Sequence, residues 1–155
     1  LMPDLITHSA FSYMVSRSSR FDRFRIIFYL GTVLPDVLSR PIYIINPFWY
    51  PYSVAVHTPV FLTLFCLLAA EFFKADLRRS VRLYLLAGVY EHFFLDFFQR
   101  HIEAGYLWFF PFSWSSFEIG LFWPETPLML TPLWLLGVAL AEMIRYLRTR
   151  RPRQT

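Results

Sequence analysis

Thirteen of the fifteen basic residues fall in three short blocks, and apolar segments hold the blocks apart. Arg17, Arg20, Arg23 and Arg25 form the first block; Lys74, Arg78, Arg79 and Arg82 form the second. Arg145, Arg148, Arg150, Arg151 and Arg153 form the third. A nucleic-acid surface gathers positive charge along one face or groove. Here the charge recurs where apolar segments end, as in the cytoplasmic loops of a multi-pass membrane protein. Composition agrees: 56% of residues are hydrophobic and 21% aromatic, against about 45–50% apolar in a typical soluble domain. The mean hydropathy is +0.41. A lone cysteine, Cys66, excludes an intramolecular disulfide or a thiolate zinc cluster. The expected partner is membrane lipid, not nucleic acid.

The apolar runs predict five helices over about 5–15, 21–34, 59–73, 81–98 and 128–147. Pro35 is expected to stop the second, because a proline removes a helical hydrogen bond and clashes with the preceding turn. The two long connections, 38–56 and 102–127, are rich in Pro, Trp and Tyr. They read as loops or short helices at the membrane surface, where Trp and Tyr concentrate. No signal-peptide pattern is read at the N-terminal end, since nothing basic precedes the first apolar run. The expected fold is all-α: one domain over residues 1–155, an integral bundle of about five helices in the inner (plasma) membrane.

Placing the basic blocks in the cytoplasm gives every helix a direction and leaves the C-terminus cytoplasmic. The polar residues suited to metal binding then collect at the other end, facing the outside or periplasm. His8 begins helix one, with Asp4 a turn earlier. Asp36 follows helix two in "LPD". His57 precedes helix three, where Thr58 and Pro59 suit a cap and first turn. His92 and Asp96, in "HFFLD", are four apart and share one helical face. Imidazoles and carboxylates are ligands for zinc or a similar divalent ion, and a cation offsets the cost of burying carboxylates in apolar surroundings. Glu91 points about 100° away from His92 and is the weaker candidate. His101 and Glu103, beyond helix four, are candidates for a further ion.

The segments "THS" at 7–9, "LPD" at 34–36, "HTP" at 57–59 and "HFFLD" at 92–96 resemble the YdjM-like family of predicted membrane-bound metal-dependent hydrolases. That family is in turn similar to the zinc-dependent phospholipase C and single-strand nuclease superfamily. The resemblance implies one metal site from Asp36, His57, His92 and Asp96. It implies a second from His8, bridging Asp96 and Asp4. The superfamily's later HxxxE pair has no match after residue 101, so the resemblance does not supply a third site around His101. One to three zinc ions are expected, two favoured. The activity implied is hydrolysis of a phosphoester, such as a phospholipid or lipid-linked phosphate, by metal-activated water. Asp36 or Asp4 would be the proton acceptor. The alternative is a non-enzymatic membrane subunit or scaffold whose metal site is structural.

Overall fold

In a computed structural model, residues 4–17, 23–100, 106–123 and 126–150 are described. Arg20, Arg151 and Arg153 of the basic blocks lie outside them. The described residues form seven α-helices: α1 (Asp4–Ser16), α2 (Arg25–Ile45), α3 (Tyr50–Val56), α4 (Pro59–Glu71), α5 (Ala75–Asp96), α6 (Thr126–Met129) and α7 (Thr131–Arg150). A 3-10 turn, Pro47–Trp49, joins α2 to α3. Residues 106–123 are non-helical and carry two isolated bridges, Gln99 with Phe122 and Tyr106 with Phe117. The three shortest elements, α3, α6 and the 3-10 turn, are the excess over the five expected helices.

The second helix departs most from expectation, because α2 runs through Pro35 and Pro41 to Ile45. Its buried residues explain why. Phe28, Gly31, Thr32, Pro35, Asp36 and Ser39 recur at intervals of three and four, the spacing of one helical face. That face packs on α5, the most extensive helix pair in the molecule. Tertiary burial along the stripe outweighs the local preference of proline. At the crossing, a Cβ on Gly31 would lie 2.2 Å from the Leu85 carbonyl oxygen. One on Gly88 would lie 2.1 Å from that of Phe28. Only glycine lets the two backbones come this close.

Side-chain pairs fix the helix directions. Phe24 stacks on Tyr84 and Thr32 bonds Glu91, so α2 and α5 run parallel. Arg25 donates to the Ser16 carbonyl and Ser12 Oγ lies 3.1 Å from Thr32 Oγ1, so α1 runs against α2. Thr63 meets Tyr90 and Glu71 pairs with Arg78, so α4 runs against α5. Tyr13 donates to Glu142 at 2.6 Å and Arg17 pairs with the same carboxylate, which ties α7 to α1.

The interior is unusually polar. Thr7, His8, Ser12, Thr32, Asp36, Ser39, His92 and Asp96 are all buried. Ile26 and Ile45, by contrast, are 75% and 74% exposed, the reverse of a water-soluble core. The 21 residues of α2 and 22 of α5 extend about 32 and 33 Å, enough for a hydrocarbon core of about 30 Å. Among the described residues, however, no single helix is both long and apolar enough to cross a membrane. The pair Pro47–Val56 and Pro59–Glu71, bent by 69°, meets both requirements together.

Candidate metal centre

Four elements deliver donors to one point. His8 comes from the second turn of α1, Asp36 from the middle of α2, and His92 and Asp96 from the last turns of α5. His57 sits in the turn between α3 and α4, and its amide closes α3 on the Ser53 carbonyl. Thr58 is extended and caps α4 by accepting from the Phe61 amide, with Pro59 in the first turn. This cap-and-proline junction turns the chain sharply and holds the His57 ring over α5, against Phe93.

Asp96 is the hub. Its Oδ1 is 3.2 Å from His8 Nε2; its Oδ2 is 2.9 Å from His57 Nε2 and 3.2 Å from His92 Nε2. Donors around one four-coordinate ion, at bond lengths of about 2.0–2.1 Å, stand about 3.3 Å apart. The rings of His8 and His92 stack with centroids 3.9 Å apart and planes 15° from parallel. Two sets of three donors result, each with ligand atoms within 4.8 Å of one another: His8, His92 and Asp96, and Asp36, His57 and His92.

His92 tests whether these residues suit an ion. It is 1% exposed, yet neither ring nitrogen makes a hydrogen bond. The Nε2–Asp96 distance is within ion-pair range, but the alignment is not that of a hydrogen bond. A buried polar atom without a partner is costly. A cation between His92 and Asp96 removes that cost, whereas hydrogen bonding to Asp96 accounts for the His8 and His57 contacts and leaves the His92 nitrogens unpaired. The residues fit a divalent ion.

Outer partners set the donors. Ser39 Oγ is 3.1 Å from His57 Nδ1; by accepting from an Nδ1–H it leaves the Nε2 lone pair free for an ion. Such partners typically matter about 10–100-fold in metal affinity. Arg40 donates to Asp36 Oδ2 at 2.5 Å across one helical turn. Sequence reasoning missed both residues by ending the second helix at Pro35. The three-to-four spacing of Thr32, Asp36, Ser39 and Arg40 was the signal that pointed to them.

Of the residues expected at the site, His8, Asp36, His57, His92 and Asp96 come together. Asp4 lies in the first turn of α1, but its side chain is outside what the structure describes. His101 and Glu103 lie outside the described residues. Glu91 belongs to neither donor set: its Oε2 accepts from Ser12 Oγ at 2.8 Å and Thr32 Oγ1 at 3.1 Å, binding α5 to α1 and α2. Interhelical bonds of this kind help to hold apolar-surfaced bundles together.

Fold and site define an all-helical protein with a buried histidine–aspartate centre suited to a divalent metal ion. The profile of the YdjM inner membrane protein family matches residues 4–153, and the chain belongs to that family. No curated protein and no solved structure matches the chain.

Proposed function

We propose that the protein is a membrane-embedded, metal-dependent hydrolase acting on a phosphoester, such as a phospholipid or a lipid-linked phosphate. One observation carries this reading. Among the described residues each donor set offers three side chains, one fewer than a tetrahedral ion takes, as in catalytic rather than structural zinc sites. Asp96 turns Oδ1 to His8 and Oδ2 to His57 and His92, and a carboxylate shared in this way would suit a pair of ions about 3.5–4 Å apart.

When bound, a divalent ion, zinc by the donor chemistry, supplies Lewis acidity and lowers the pKa of a water molecule. The chain supplies the remainder. Arg40, beside Asp36, places a guanidinium where it can pair with a phosphate oxygen. Asp36 has one oxygen held by Arg40, and its other oxygen serves as a ligand or accepts a proton from the attacking water. Asp4, one turn before His8, is the second candidate for that proton. Incubating the metal-loaded protein with vesicles containing phospholipids and lipid-linked phosphates should reveal one substrate that is cleaved. Chelation should stop cleavage, ion replacement should restore it, and His57→Ala should abolish it. A metal-loaded protein that cleaves none of them overturns the reading.

The near-complete burial of His8, His92 and Asp96 favours a second reading, a membrane scaffold whose ion only ties helices together. Cobalt(II) substitution separates the two. A visible spectrum that responds to added phosphate marks an open position and hydrolysis. A tetrahedral spectrum indifferent to it marks the scaffold.

The apolar exterior and the family's description support placement in the inner membrane. We assign the arginine-rich helix ends to the cytoplasm and the metal centre to the outer side, following the positive-inside rule. In a Cys66→Ala background, Ser115→Cys should react with an impermeant thiol reagent added outside, and Arg79→Cys should not. The opposite pattern inverts the orientation.

A further inference from the structure

Beside the metal centre lies a cavity of about 800 Å³, between α4, α5 and the 106–117 segment. Val60, Thr63, Leu64, Trp108, Phe112 and Phe117 are among its walls. Its size is that of a small-molecule site, about 300–1,000 Å³. The polar side-chain atoms in the wall are engaged within the protein. Thr63 Oγ1 meets the Tyr90 hydroxyl at 2.9 Å, and Trp108 Nε1 donates to the Phe117 carbonyl at 2.5 Å. A polar occupant would lose its hydration and find few partners there, so the cavity favours hydrocarbon.

The cavity adjoins the metal centre, with Pro59 of the His57–Thr58–Pro59 junction in its wall. Trp108 in its wall stands 5.8 Å from Phe93, and Phe93 stands 5.6 Å from His57, centroid to centroid. One aromatic ring thus separates hydrocarbon space from a candidate ligand. The lip is apolar and open: Phe112 is 84% exposed and Leu64 63%. An occupant enters from an apolar medium rather than from water.

We infer that this cavity takes one hydrocarbon chain of a phosphate-bearing lipid whose head group lies at the metal centre; the inference rests on the function proposed above. The rings of Trp108, Tyr106 and Phe93 then form the boundary between tail and head.

The test uses the full-length protein in phosphatidylcholine nanodiscs, with phosphatidic acid carrying a mid-chain diazirine at low mole fraction. Photolysis should label α4 and the 106–117 segment, and excess unlabelled phosphatidic acid should suppress that labelling at least fivefold. Thr63→Trp, which fills the cavity, should reduce the competed labelling to a similar degree. Leu64→Trp narrows the same space from the exposed lip and serves if Thr63→Trp does not fold. Labelling that is not competed, equals that of exposed Leu133 and Leu135 on α7, and ignores both variants overturns the cavity assignment. Asp96→Asn separates this failure from failure of the metal reading. Competed labelling that survives unchanged in Asp96→Asn keeps the tail pocket and removes the head group from the metal centre. Its loss in Asp96→Asn supports both together.

Discussion

A protein carrying Asp96→Asn is expected to purify folded but without its divalent ion. The substitution keeps the shape of the side chain and removes its charge, so packing around the last turn of α5 is undisturbed. Three imidazole nitrogens approach this one carboxylate within 3.2 Å, so no other residue touches as much of the centre. An amide can present one oxygen but turns an NH2 toward the remaining rings. Loss of an outer partner typically weakens a metal site about 10–100-fold; loss of the central anionic donor should exceed that range. Elemental analysis of purified protein, with competition by a graded chelator, gives the stoichiometry and affinity. Asp76→Asn, in the exposed first turn of the same helix, is the control and should keep its ion. Equal metal content in the two variants would place the ion elsewhere.

Gly88→Ala should be the most damaging single-methyl addition in the bundle. The new Cβ would stand 2.1 Å from the Phe28 carbonyl oxygen and 2.6 Å from the Thr32 amide nitrogen. Both are backbone atoms of α2, and neither can rotate aside. The helices must separate, at a cost at or above the upper end of about 1–3 kcal/mol for overpacking. Separation also spreads the donors, because Asp36 and His92 lie about one turn beyond the crossing on their respective helices. Thermal unfolding in detergent should therefore show a lowered midpoint together with weakened metal binding. Gly137→Ala offers a sharp comparison. Its Cβ would meet only the Met14 sulfur, at 3.3 Å, the end of a flexible side chain that can move. If the two variants unfold at the same temperature, the close crossing of α2 and α5 is wrong.

The clustering of His8, Asp36, His57, His92 and Asp96 was legible because burial of ionisable groups in an apolar chain demands an explanation, and spacing alone put His92 with Asp96 on one face. The positions of α1 and α4 followed from hydrophobic runs and from the Thr58–Pro59 cap, whereas α5 begins at Ala75, six residues before its apolar run, in a stretch that carries Asp76, Arg78 and Arg79. What escaped most was the length of α2. Local propensity reads Pro35 as a stop, whereas the stripe from Phe28 to Ser39 makes it one more small residue on a packed face. Because of that one boundary, Ser39 and Arg40 were placed in a surface loop rather than against His57 and Asp36. The apolar cavity was illegible for another reason. Its walls come from α4, α5 and a segment with little regular structure, and no periodicity in the sequence links them.

The donors' dispersion along the chain bears on biogenesis. His8 is made before the other candidate donors, and Asp96 follows only after α2, α3, α4 and nearly all of α5 have been made. No nascent fragment ending before His92 presents either complete donor set. If the centre takes an ion, insertion and helix pairing must therefore precede loading, and α1 must wait for α5. On the proposed reading, loading an ion would be the closing step of maturation, and an ion-bearing molecule would be one in which α1, α2, α5 and the α3–α4 junction have all found their places.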